Sequence, residues 1–157
     1  MLSWLWLSLL VLVLDQLTKY LADTGLDYAQ PVALIPQLNL LLLYNPGAAF
    51  SFLSDASGWQ RWFFVVIGVV ISTVLLFWMR GLSRADRRVA IALALVLGGA
   101  IGNIVDRLLH GYVIDFIDVY YNGWHWPAFN IADSAITVGV VLLLVDSIKT
   151  QDSSDGK

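Results

Sequence analysis

The stretch WFFVVIGVVISTVLLFWM, Trp62–Met79, holds no charged side chain and is closed by Arg61 and Arg80. With its flanks, a run of this kind crosses the roughly 30 Å hydrocarbon core of a bilayer as one helix. Working outward, three further runs share that character: Leu2–Leu21 before it, Val89–Leu109 and Ile131–Ile148 after it. The first lacks a basic leading region, carries Asp15 and Lys19 within its span and shows no small-x-small cleavage site. It therefore reads as a retained helix and not as a signal peptide.

Composition agrees with a chain solvated by lipid. Of 157 residues, 59% are hydrophobic and 13% charged, and the mean hydropathy is +0.74, well above that of soluble domains. The expected organisation is a single integral membrane domain over residues 1–150, followed by a short cytoplasmic tail, 151–157, within a disordered-looking TQDSSDGK end. A net charge of -3 and the lack of a basic stripe exclude nucleic acid as a partner. With no cysteine in the chain, disulfides, thiolate nucleophiles and cysteine-based zinc sites are ruled out.

Orientation follows from the basic residues of the short connections. Arg80, Arg84, Arg87 and Arg88 fill the segment RGLSRADRR, and Lys149 and Lys157 lie at the far end, whereas Ala22–Gln60 and His110–Ser134 contain neither Lys nor Arg. Both termini are thus expected in the cytoplasm and the two Arg-free segments outside, with Trp59, Trp62, Trp78, Trp124 and Trp126 at the interfaces. Within the first outer segment, LNLLLLY between Pro36 and Asn45-Pro46-Gly47 is too short to cross and reads as short strands or an interfacial ribbon. The second outer segment reads as an aromatic, re-entrant loop.

This topology brings polar groups from three spans to one depth. Asp15 and Lys19 fall at the outer end of the first span, Asn103, Asp106 and Arg107 at the outer end of the third, and Asp133 opens the fourth. Ionisable groups inside a membrane are costly and mark function by default. Asp15 and Lys19 are spaced i,i+4 in the favourable order for an ion pair; Asn103, Asp106 and Arg107 can share one face; Gly98 and Gly102 form a small-xxx-small pair suited to close helix packing.

Each group also has a plain structural reading. Asp15 with Lys19 is most simply a structural pair, Asp106 beside Arg107 a neutralised helix end, Asn45 a turn residue and Asp118 a solvated loop carboxylate. His110 and His125 lack ligand-spaced companions, so no metal site and no cofactor are expected. A serine mechanism would require Ser51 or Ser134 with His125, or some serine with Lys19, and no motif selects one. Carboxylates are what the outer plane holds in number. Two adjacent Asp side chains share a proton, which equips them to activate water and to protonate a carbonyl oxygen. Asp115 and Asp133, at the two ends of the last outer segment, are the best pair for hydrolysis of a peptide bond.

The blocks LDQLTK (14–19), YNPGAAFSF (44–52), GGAIGNIVDR (98–107), VIDFI (113–117) and FNIADSAI (129–136) together resemble, in order, the signatures of the lipoprotein signal peptidase family, signal peptidase II. The resemblance spans nearly the whole chain. It implies an all-α membrane protein with four transmembrane helices, a small extracytoplasmic β-cradle and a short interfacial helix around Val32–Leu53. It also implies an aspartic endopeptidase of the bacterial inner membrane, with Asp115 and Asp133 as its dyad. Asn45, Asn103, Arg107 and Asn130 then match positions lining the substrate site, and Asp15 and Lys19 match supporting positions; Asp106, on the same face, is counted with them as a substrate-binding or supporting residue. The implied substrate is a prolipoprotein cleaved just before a diacylglyceryl-modified Cys, the other partners being membrane lipids; a monomer is expected. A proton-coupled transporter with an Asp relay, or a non-catalytic assembly partner, are the competing readings. The first would spread carboxylates through the membrane depth, whereas here they gather at one face.

Overall fold

Helix α3, Arg87–Leu109, is the axis on which the other spans pack. Its sequence places small residues where neighbours approach, and Ala90, Ala92, Ala94, Gly98, Gly99 and Gly102 are all buried. In the computed structural model, which describes residues 1–47 and 58–155, three helices contact it: α1 (Leu5–Gly25), α2 (Trp59–Gly81) and α4 (Ile131–Asp155). A single 3-10 turn, Leu2–Trp4, leads into α1. A methyl group at Gly98 would lie 2.7 Å from the Ser8 carbonyl oxygen. Without it the two backbones close together, and Ser8 Oγ donates to the Ala94 carbonyl at 2.8 Å. Between helices in lipid, such packing and such bonds are what hold a bundle.

Each span is long and apolar enough to cross a membrane. The outward faces are apolar too: Leu9 and Val13 of α1, Val66 and Phe77 of α2, and Val141 and Leu144 of α4 are exposed, as lipid-facing side chains are. The helices overrun the expected spans. α1 continues to Gly25, α2 starts at Trp59, and α4 runs on to Asp155, through most of the end read as disordered.

At one end of the bundle a four-stranded antiparallel sheet joins both segments that lack Lys and Arg. Its order is β1 (Val32–Ile35), β2 (Leu38–Asn45), β3 (Val113–Tyr121) and β4 (Trp124–His125). β1 and β2 are the strands read from the first segment. The interfacial helix implied there falls in part on residues 48–57, outside the described residues. In the second segment the structure replaces the expected re-entrant loop with a hairpin. VIDFIDVYY is rich in β-branched and aromatic residues, and Asn122 (φ 52°) and Gly123 (φ 82°) make the two-residue left-handed turn that such hairpins favour.

Register then decides which carboxylates are buried. Leu40 pairs with Ile117 and Leu43 with Asp115, so Leu41 and Leu42 stand opposite Phe116 alone. That bulge bends the strand, and strict alternation is lost: Val113 to Phe116 and Asp118 are all buried. Gly111, at φ 88°, provides the left-handed turn that takes the chain from α3 into β3.

Candidate active site

The sheet-side ends of α1 and α3 are joined by a buried charge cluster. Lys19 Nζ lies 2.8 Å from Asp15 Oδ2 and 2.8 Å from Asp106 Oδ2, and donates to Asn103 Oδ1 at 2.9 Å. The i,i+4 pair expected from the sequence is therefore half of a larger arrangement. Asp15 Oδ1 accepts from the Ala132 amide at 2.8 Å, an orphan donor of the first turn of α4. Asp106 Oδ2 accepts from the Ile114 amide at 3.1 Å, which anchors the start of β3. Asp106 is thus no mere neutralised helix end: it and Asp15 set where β3 and α4 begin, and so where Asp115 and Asp133 stand.

Asn130 connects those two aspartates. It is fully buried and precedes α4, where its Oδ1 accepts from the Asp133 amide at 2.9 Å, the bond of an N-cap. With the oxygen so engaged, Nδ2 points to Asp115 and donates to Oδ1 at 2.7 Å. Asn45 Nδ2 donates to the other oxygen, Oδ2, at 3.0 Å, while Asn45 Oδ1 accepts from the Gly47 amide at 2.9 Å. Asn45 thus takes part in the turn through its oxygen and bonds Asp115 through its nitrogen. Asn103 Nδ2 donates to Asp133 Oδ1 at 2.7 Å, its amide oriented by the Lys19 ammonium on its oxygen.

Burial pushes Asp115 up to about 6; the amide bonds from Asn45 and Asn130 and the Lys19 charge oppose this, and the Asp133 charge adds to it. Asp133 stands in the first turn of α4. Arg107 lies within electrostatic reach of Asp133, Asp115 and Asp106. Its guanidinium packs 5.0 Å from the Phe64 ring centroid, Nη1 donates to the Asn103 carbonyl at 3.2 Å, and its buried Nε has no hydrogen-bond partner among the described residues.

Two clefts open on this arrangement. One, of about 420 Å³, is lined by Asp115 with Tyr44, Asn45 and Pro46; the other, of about 470 Å³, by Asp133 with Trp126, Phe129 and Thr137; Pro127 and Ala128 line both. The Tyr44 hydroxyl donates to Asp23 at 2.8 Å, a bond that pushes this phenol up to about 12 and keeps it neutral.

A family model described as signal peptidase (SPase) II matches residues 7–149. The chain belongs to the signal peptidase II family. Among its relatives, the lipoprotein signal peptidase of Acinetobacter baumannii (strain ATCC 17978) is 56% identical over 146 residues, which cover 93% of this chain and 83% of that one. That of Pseudomonas fluorescens (strain Pf0-1) is 54% identical over 156 residues, covering 98% and 92%. A bacterial membrane enzyme solved by the in meso method at 2.3 Å superposes with a TM-score of 0.85 at 34% identity, over 99% of this chain and 92% of that chain. Membership makes the chain a peptidase of aspartic type, and its four apolar helices make it a multi-pass membrane protein.

For a signal peptidase II chain, the serine alternatives find no geometry among the described residues. Ser134 Oγ donates to the Asn130 carbonyl at 2.9 Å, His125 is paired with Asp118, and Ser51 lies outside the described residues. Asp118 itself was misread: far from solvated, it is 2% exposed. Gln16 was overlooked. Its Nε2 donates to Asp106 Oδ1 at 2.8 Å and to the Gly102 carbonyl at 3.3 Å, and its place beside Asp15 at the same depth was the signal.

Proposed function

We propose that this chain removes the signal peptide from diacylglyceryl-modified prolipoproteins, cutting just before the lipidated Cys, with Asp115 and Asp133 as the catalytic dyad. The observation that carries the reading is the double engagement of Asn130, which holds Asp115 by its side-chain amide while capping the helix turn that bears Asp133. Four carboxylates, Asp15, Asp106, Asp115 and Asp133, gather around two cations, Lys19 and Arg107. Fully ionised, the set carries two excess negative charges. Retaining one proton on the dyad relieves half of that, and burial favours Asp115 as its holder.

In this mechanism Asp133 takes a proton from water as the water oxygen bonds to the scissile carbonyl carbon, and Asp115 gives its proton to the carbonyl oxygen. The neutral tetrahedral intermediate then collapses. Its C–N bond breaks, the proton held by Asp133 passes to the leaving nitrogen, and a hydroxyl proton returns to Asp115, restoring the dyad. The Arg107 guanidinium, within electrostatic reach of both dyad carboxyls, binds backbone carbonyls of the substrate in this reading.

The membrane supports the same substrate. Both termini lie in the cytoplasm and the sheet outside, on the side away from Arg80, Arg84, Arg87 and Arg88. A site at the outer interface reaches a bond beside a diacylglyceryl group without withdrawing its chains, each exposed CH₂ of which would cost about 0.8 kcal/mol. The test is cleavage of a diacylglyceryl-modified prolipoprotein by purified protein in lipid. Asp115→Asn and Asp133→Asn should each lower turnover by about 10³-fold or more with unfolding temperatures near or above wild type. Undiminished turnover in either variant would remove that residue from the dyad.

A further inference from the structure

Beside the dyad, β3 and β4 carry a polar clasp that the proposed chemistry does not use. Asp118 Oδ2 accepts from Asn39 Nδ2 at 2.8 Å, and Oδ1 lies 2.8 Å from His125 Nδ1. Asn39 belongs to β2, Asp118 to β3 and His125 to β4, so one buried carboxylate ties three strands. The His125 ring also stacks on Tyr120, centroids 5.2 Å apart and planes 18° from parallel. A carboxylate so buried tolerates loss of a partner poorly. With Nδ1 facing a carboxylate oxygen, the contact is a hydrogen bond in the tautomer that carries its hydrogen on that nitrogen.

What the clasp adjoins gives it a consequence. Immediately after His125, the Trp126 amide donates to the Val119 carbonyl at 2.8 Å; three residues on, Phe129 donates to the Ile117 carbonyl at 3.1 Å and accepts from the Ile117 amide at 2.9 Å. Pro127 and Ala128 are spanned between these two anchors, and they are the wall common to the Asp115 and Asp133 clefts. Neither residue carries a group able to take part in hydrolysis. Their effect on the reaction is where they stand.

We infer that Asp118 and His125 are positioning residues: with Asn39 they fix the Trp126–Phe129 segment as the shared wall of the two clefts, and so set how substrate lies against Asp115 and Asp133. This rests on the substrate and the dyad proposed above. Because the clasp shapes the cleft and touches no reacting atom, its loss appears in substrate affinity ahead of the chemical step.

The experiment compares KM and kcat of wild type, His125→Ala, His125→Asn and Tyr121→Ala on a diacylglyceryl-modified prolipoprotein in lipid. His125→Ala should raise KM by about tenfold and leave kcat within about threefold. His125→Asn, whose amide nitrogen takes the place of Nδ1, should restore KM to within about threefold of wild type. Tyr121→Ala, in the same hairpin but exposed, should leave KM unchanged. An unchanged KM in His125→Ala, an Asn variant no better than Ala, or an equal rise in Tyr121→Ala would overturn the clasp. Wild-type protein that does not cleave would overturn the proposed substrate reading and this inference with it; wild-type cleavage with His125→Ala unaffected would overturn the inference alone.

Discussion

Asp115 ties the site to the stability of the whole chain through pH. In the unfolded chain its carboxyl has its ordinary value of 3.8, and burial pushes it up to about 6 in the fold. The folded state therefore holds this proton more tightly. Stability from the group is fully present below 3.8 and is lost as pH rises through about 6, a difference worth roughly 3 kcal/mol. Asp115→Asn has no such proton to lose. Its stability relative to wild type should rise between pH 4 and pH 7 by up to about 3 kcal/mol, measured as unfolding temperature in detergent across that range; a constant offset would mean that Asp115 is not strained in its ionised form. Residues whose partners lie one helical turn away were legible without a structure, and Asp15 with Lys19 is the example. Asn130 was placed in the site by resemblance, but its bond to Asp115 joins a strand to a helix start, and no spacing rule announces such a bond. Asp118 was misread because its partners Asn39 and His125 sit on two other strands.

At the scale of elements, packing of α1 on α3 depends on glycines whose Cβ position is taken by a neighbour's atoms. Gly98 is the clearest: an added Cβ would meet Ser8 O at 2.7 Å and Val11 Cβ at 2.8 Å, and neither belongs to the end of a flexible side chain. Gly98→Ala should force the helices apart, weaken the Ser8–Ala94 bond and cost about 1–3 kcal/mol. Gly25→Ala, at the end of α1 with nothing within 4 Å, should cost nothing or add slightly to stability. Unfolding temperatures of the two variants check this, and equal temperatures would show that the helices adjust freely. The four spans were legible because a run such as Trp62–Met79 has few alternatives in lipid. β3 was not. Its first residues are buried on both faces, so the alternation that marks half-buried strands is absent, and its partner β2 is distant in sequence. The turn signal was nonetheless present in Asn122-Gly123.

For the whole molecule, the two ends of the bundle differ in kind, and that difference makes the proposed orientation testable. One end carries the sheet, the clefts and the cluster around Lys19. The other carries Arg80, Arg84, Arg87 and Arg88, and the N-terminal ammonium lies there too, donating to the Met79 carbonyl at 3.0 Å. A helix of 23 residues such as α2 is about 34 Å long at 1.5 Å per residue, enough to separate these ends across the hydrocarbon. Because the chain has no cysteine, single replacements report position without background. Ala85 lies in the Arg-rich connection and Tyr121 at the tip of the β3–β4 hairpin, both exposed. If the basic connection is cytoplasmic, an impermeant maleimide should label Tyr121→Cys in intact spheroplasts and label Ala85→Cys only after the membrane is opened. The reverse pattern would put the clefts on the cytoplasmic side. A lipid-anchored bond presented from the outer leaflet would then be out of reach of Asp115 and Asp133, so the labelling experiment tests the depth argument for the substrate as directly as it tests the topology.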